Sequence, residues 1–216
     1  MSGVAMVIYN VQTNGDSNLL VIELINDSVR IEASAIAYIV GDIKLLAQIK
    51  GLMNKIKAYL LGKSYFKPIL QGTGKIYLHP SLGNYHKLNL SEGHKLYVNP
   101  QAFVACRNSI EVMPDINFSF KNFVSGTPMT NLSTQGTGSL MLLMPGPVEE
   151  CVLQDGKFSA YINNVAAFSA DLKVTRETAG IGDLTIAQKL VKVFRGSGSI
   201  YFSPNINKGY SKGRKS

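Results

Sequence analysis

A Gly-x-Gly pair opening a β-rich run occurs three times along this chain, at nearly even intervals. The runs are Gly72-Thr73-Gly74 before Lys75-Ile76-Tyr77-Leu78, Gly136-Thr137-Gly138 before Ser139-Leu140-Met141-Leu142, and Gly196-Ser197-Gly198 before Ser199-Ile200-Tyr201-Phe202. Gly72 to Gly136 is 64 residues and Gly136 to Gly196 is 60. A period of that size marks a repeat architecture. Glycine weakens a strand interior, so it marks a bulge, a bend or a close backbone approach. Two glycines one residue apart face the same side and leave it bare for a crossing strand. Gly-x-Gly can also cradle a phosphate, but that form follows a strand and opens a helix. Here each pair opens a strand. Gly72, Gly74, Gly136, Gly138, Gly196 and Gly198 therefore read as packing joints.

A second segment type recurs with the same period. It runs Val29–Ala37, Leu96–Val104 and Ala160–Phe168, with Ile31-Glu32, Val98-Asn99 and Ile162-Asn163 aligned and an alanine three residues after the polar position. The chain begins with this segment and finishes with a Gly-x-Gly strand, so one repeat is split between the termini. The expectation is that the strand near Val29–Ala37 meets the strand near Ser199–Ser203 and closes a pseudo-threefold β domain. Closure is one way to remove exposed strand edges. The fold class is mainly β, a double-stranded β-helix or β-sandwich of three pseudo-repeats. The chain divides into an N-terminal strand or arm (1–20), one β domain (21–205) and a disordered basic tail (206–216).

Other stretches fit this class. Asp115–Phe123 alternates apolar and polar residues as a half-buried strand does. Ser91-Glu92-Gly93 and Gln154-Asp155-Gly156 are turn signals at matching places. One segment departs from it: Leu45, Ile49, Leu52, Met53, Ile56 and Leu60 recur at helical spacing, predicting a helical insertion over 42–61 with Gly62 as its cap.

The 216 residues carry a net charge of +8, concentrated in two places. Lys44, Lys50, Lys55, Lys57 and Lys63 fall in one stretch, and Lys208, Lys212, Arg214 and Lys215 in the last nine residues. Such charge either is solvated surface or attracts nucleic acid or an anionic membrane. Lys50, Lys55, Lys57, Lys63, Lys212, Arg214 and Lys215 are the candidate anion contacts. Cys106 and Cys151 are too few for a disulfide framework and read as small buried hydrophobes. With no basic n-region and apolar core at the start, and no apolar run of about 18 residues, the expected location is the cytoplasm.

Catalytic constellations fail on spacing. His79, His86 and His94, with Glu92 nearby, could supply a cupin-like metal site, but no two stand at the i, i+2 spacing of one strand face. Gly62-Lys63-Ser64 resembles the end of a P-loop, yet Lys57 stands where the upstream glycine belongs. Gly196-Ser197-Gly198 is not a nucleophile elbow, and its repeat holds no histidine base. No enzyme, metal, cofactor or small-molecule substrate is expected.

Gly62-Lys63-Ser64-Tyr65-Phe66, the Gly72–Leu78 strand, Ala102-Phe103-Val104-Ala105, the Gly136–Leu142 strand and Phe194–Phe202 occur together in an order and spacing that resembles the altered-inheritance-of-mitochondria protein 24 family, with its tryptophan-RNA-binding-attenuator-like fold. The resemblance runs from about Val21 to Pro204. It implies an all-β domain of three repeats with no catalytic or ligand residues. Lys63 stands where an acidic residue is usual, and Ser203 where the last strand often ends in glutamine. Without a mitochondrial targeting signal, a bacterial-type member is expected. The leading functional expectation is a non-enzymatic interaction or scaffold protein that self-associates or holds a protein partner. The alternative is binding of nucleic acid or an anionic membrane through the basic stretches, and a metal enzyme is the remote one.

Overall fold

The computed structural model describes residues 4–46, 67–115, 131–178 and 190–204. Among these, fourteen strands follow in order. They are β1 (Met6–Asn14), β2 (Ser17–Ile31), β3 (Ile36–Leu46), β4 (Ile69–Leu78), β5 (Asn84–Leu90), β6 (Lys95–Val98) and β7 (Phe103–Arg107). The second half holds β8 (Ile110–Asp115), β9 (Asn131–Gly136), β10 (Gly138–Met144), β11 (Glu149–Tyr161), β12 (Val165–Ser169), β13 (Lys173–Thr178) and β14 (Leu190–Phe202). They form two seven-stranded sheets in which every pairing is antiparallel. One runs β3-β4-β2-β7-β10-β5 with β1 also on β2, and the other β11-β14-β12-β6-β9-β8 with β13 also on β14. The expectation of a mainly β chain holds.

The sequence dictates β2 with a shift of phase in the middle. Leu20, Ile22 and Leu24 alternate inward, and then the buried positions become Val29 and Ile31. Alternation has period two, so the parity can change only if an extra residue is inserted. The register shows the insertion: Leu24 lies opposite Gly74, and the next partner pair is Asp27 with Gly72. A central apolar cluster joins the sheets, with Leu88, Phe103, Leu140 and Leu142 of the first and Leu96, Val98, Ile110, Leu132 and Ala167 of the second. Two further clusters lie under β2 and β4 and under β11 to β14.

Three expectations are corrected. The segment Val29–Ala37 is not one strand: β2 ends at Ile31, a 3-10 turn spans Ala33–Ala35, and β3 starts at Ile36. Nor does it meet Ser199–Ser203. Val29–Ile31 pairs with β4 and β7, whereas Ser199–Phe202 pairs with β11 and β12 in the other sheet. The described sheets do not close into a ring. Third, Asp42–Leu46 is the last part of β3, paired with β4 from Thr73 back to Ile69. Leu45, the first residue of the helical stripe, is exposed on that strand. The rest of 42–61, the alternating run beyond Asp115 and the tail at 206–216 lie outside the described residues. The N-terminal residues form a hairpin, β1 lying along β2 from Met6–Ile25 to Asn14–Ser17.

Candidate functional site

Two of the Gly-x-Gly pairs occupy the middle of a strand that lies between two others, and the third lies where β9 ends and β10 begins. β4 lies between β2 and β3, and β14 has β11 on one side and β12 and β13 on the other. β9 and β10 divide the same arrangement between the sheets, β9 pairing with β6 and β8 and β10 with β5 and β7. All six glycines have positive φ, from 112° to 155°. At Gly72 a Cβ would stand 1.9 Å from the Asp42 carbonyl oxygen, and at Gly136 2.3 Å from that of Ser109. Gly74 meets a glycine that sequence reasoning missed. A Cβ on Gly41 would fall 2.7 Å from the Gly74 Cα, so β3 crosses β4 glycine on glycine. Its only signal was a single glycine in a run that read as the approach to a helix.

The middle residue of each pair matters as well. Opposite Gly72 and Gly74 the β2 bulge carries Asn26 at φ 48°, and its N–H donates to Thr73 Oγ1 at 3.0 Å. Opposite Gly196 and Gly198 the β11 bulge carries Asp155 at φ 50°, and its N–H donates to Ser197 Oγ at 2.9 Å. The hydroxyl satisfies a donor that the bulge takes out of the ladder. At the middle crossing, Ser109 Oγ donates to the Thr137 carbonyl. The signal was in the sequence: the middle residue is Thr, Thr and Ser. Thr73→Val is expected to lower stability by about 1 kcal/mol, the usual net value of such a bond. Urea unfolding checks this, and an unchanged midpoint would mean that water replaces the hydroxyl.

The polar position of the second segment is a cap. Glu32 accepts from the Ser34 N–H and Asn99 Oδ1 from the Gln101 N–H, each closing the turn that follows its strand. After each turn one carbonyl accepts from the far end of a Gly-x-Gly strand: Ala35 from His79, Ala102 from Leu143, and Asn164 from Ser203, all at 2.8 Å. Those bonds make Ala35, Ala102 and Asn164 equivalent. The third turn therefore lies two residues before the place that the sequence pattern predicts, and Tyr161, which precedes it, makes no side-chain cap.

The histidines do not converge. His79 and His94 are exposed at strand ends, and His86 is half-buried on β5. Burial lowers the His86 pKa, with Glu150 pulling the other way. Among the described residues no group of three His, Cys, Asp or Glu side chains could hold a metal. Cys106 is buried as expected, and its thiol is pushed up to about 12 by burial despite Arg30. Cys151 is only half-buried, which corrects the reading of both as core. In the folded protein at pH 8 a thiol reagent is therefore expected to modify Cys151 and spare Cys106, since the thiolate is the reactive form. Titration in denaturant should release the second equivalent, and two equivalents without denaturant would show that Cys106 is accessible. Of the candidate anion contacts, Lys50, Lys55, Lys57, Lys63, Lys212, Arg214 and Lys215 all lie outside the described residues.

The strand edges that have no partner among the described residues are the other distinctive surface. β3 exposes Tyr38, Ile39, Val40 and Leu45, and the β1 region exposes Val4, Met6, Ile8 and Val11. β3 carries Asp42 and Lys44 towards its end, but its first stretch, Ile36–Val40, is apolar and uncharged, and such an edge is a template for pairing with another chain. Tyr38 stacks on Tyr77, with ring centroids 4.4 Å apart, so the start of β3 is held in place. No helix among the described residues is long and apolar enough to cross a membrane, which leaves crossing by strands untouched.

Residues 9–205 match the family described as mitochondrial biogenesis AIM24. The chain belongs to this family. A comparison with curated proteins finds no significant match. Among solved structures, the AIM24-family chain is similar to the crystal structure of a protein from Streptococcus pyogenes, with a TM-score of 0.71 and 21% identity. That alignment covers 93% of this chain and 94% of the streptococcal one. At this identity the likeness establishes the fold.

Proposed function

We propose that this AIM24-family chain is a non-enzymatic scaffold that self-associates, built from three diverged copies of one strand triplet. The observation that carries the reading is the apolar edge of β3, which pairs with no strand but β4 among the described residues and where Tyr38 and Val40 are 56% and 54% exposed. Soluble proteins blunt such edges with charge, proline or a covering element. From Ile36 to Val40 this edge has no charged residue and no proline. β8, by contrast, is an edge strand that carries Pro114 and charges at Glu111 and Asp115. The family is a biogenesis family by description, and a scaffold is consistent with that. The test is sedimentation across a range of protein concentrations, together with affinity purification. Assembly above the single-chain mass, or a stoichiometric partner, is the expected result. A strict monomer that enriches no partner sinks the reading.

A further inference from the structure

We infer that a second copy of this chain adds its β3 edge to the β11 edge of the first, head to tail, in a definite register. The inference rests on the self-association reading above and deepens it.

Successive triplets are joined by one repeated pairing. β2 of the first triplet pairs with β7 of the second, Ile31 opposite Ala105, Arg30 opposite Cys106 and Val29 opposite Arg107. β6 of the second pairs with β12 of the third, Val98 opposite Ala167, Tyr97 opposite Phe168 and Leu96 opposite Ser169. In both junctions the next N–H along adds a bond across, from Glu32 to the Val104 carbonyl and from Asn99 to that of Ala166. The equivalence of Ala35, Ala102 and Asn164 carries this register to the third junction. Counting from them places Ala160 opposite Tyr38, Ser159 opposite Ile39 and Phe158 opposite Val40, with the Tyr161 N–H directed to the Ala37 carbonyl.

Within one chain this third junction is not made, because β3 and β11 are outer strands of different sheets. The contrast in exposure is large. Ala105 and Ala167 are 0% exposed where Tyr38 is 56%, and Cys106 and Phe168 are 0% and 4% where Ile39 is 39%. On the other side, a hollow of ≈ 330 Å³ lies along β11, lined by Phe158, Ala160, Tyr161, Asn164 and Phe202. The register puts exposed Lys157 opposite Gly41, next to exposed Asp42, which within its own chain lies 3.6 Å from Lys44. A second copy supplies each edge with the partner it lacks among the described residues, with the geometry already used twice. Because the two surfaces differ, the contact is heterologous and leads to a closed ring or an open filament, not a two-fold dimer.

Ala160 and Tyr38 would form a non-hydrogen-bonded pair, in which side chains lie closest and a disulfide is geometrically feasible. The test uses full-length protein with Cys151→Ser, one preparation carrying Tyr38→Cys and another Ala160→Cys. On oxidation, the equimolar mixture is expected to give a disulfide-linked dimer, with neither preparation doing so alone. A chain carrying both cysteines is expected to give a ladder above the dimer. In parallel, Val40→Lys, at an exposed position that tolerates charge, is expected to reduce the sedimenting mass to that of one chain. If assembly persists in Val40→Lys and the mixture gives no dimer, this register is overturned while self-association stands. Dimers from either single-cysteine preparation would point to a symmetric contact and overturn it too. So would a doubly substituted chain that closes on itself as a monomer. A wild-type protein that is monomeric at every concentration removes both this inference and the reading beneath it.

Discussion

Gly72→Ala is expected to cost about 4 kcal/mol or more, placing it among the severest single substitutions. Two costs combine at this position. The backbone sits at φ 146°, a region L-residues rarely adopt, and a Cβ would stand 1.9 Å from the Asp42 carbonyl oxygen. Strained φ alone is worth about 1–3 kcal/mol, while the contact can be relieved only by moving β3 off β4. Gly196→Ala separates the two effects. At φ 112° it bears the strain, but a Cβ there meets nothing within 4 Å. About 1–2 kcal/mol is expected from the backbone alone. Equilibrium urea unfolding of both variants reads the difference directly. Equal losses would mean that the crossing of β3 over β4 has room to spare.

The second large effect is expected at Glu32. The Lys67 ammonium, whose side chain is 2% exposed, forms an ion pair with Glu32 and lies over the Phe103 ring, 5.6 Å from its centroid. Burying a charge is tolerable only when it is compensated, and removing one partner typically costs about 3–5 kcal/mol. Glu32→Gln keeps an oxygen for the turn that Glu32 caps, so it isolates the charge. With the Glu32 side chain 25% exposed, screening brings the expected loss to about 2–4 kcal/mol. Lys67→Met in the same background should recover most of it, because it removes the buried ammonium that Glu32→Gln leaves without its carboxylate. A double-mutant cycle measures this. A double variant as unstable as Glu32→Gln alone would show that the carboxylate acts through the cap and not through the pair.

How far the sequence could be read depended on which physical signal each element carried. The class and the glycine joints were legible, because alternation and glycine in a strand interior each have a direct steric meaning. The predicted helix failed at its start because Asp42–Leu46 belongs to an edge strand that is largely exposed. Without a buried face there is no alternation to record, and the spacing of Leu45 with later residues was coincidence. The two-residue offset at Asn164 was hidden because Tyr161 does without the cap that Glu32 and Asn99 provide. Closure was a reasonable extension of the period. A period says which strands are equivalent, though, and not whether the last junction is made by the same chain. For the candidate site, the hydroxyls of Thr73 and Ser197 were visible in the repeated motif, but their partners at Asn26 and Asp155 were not. Those sit on bulges, and a bulge appears in a sequence only as a slip in phase such as that between Leu24 and Val29.

Each strand triplet is threaded so that its middle member comes last. β2 and β3 are not paired with each other and are joined through β4; β11 is joined to β12 and β13 through β14. As the polypeptide leaves the ribosome, the outer strands of a triplet therefore have no partner within it until the third is made. Contacts distant in sequence slow folding and prolong the exposure of unpaired edges. Emergence of β14 is thus the step that commits the last third of the molecule. Until then β12 has only β6 to pair with, and β11 and β13 have no partner among the described strands, so a stalled or shortened product ending before Leu190 would offer chaperones and proteases two unsupported strands.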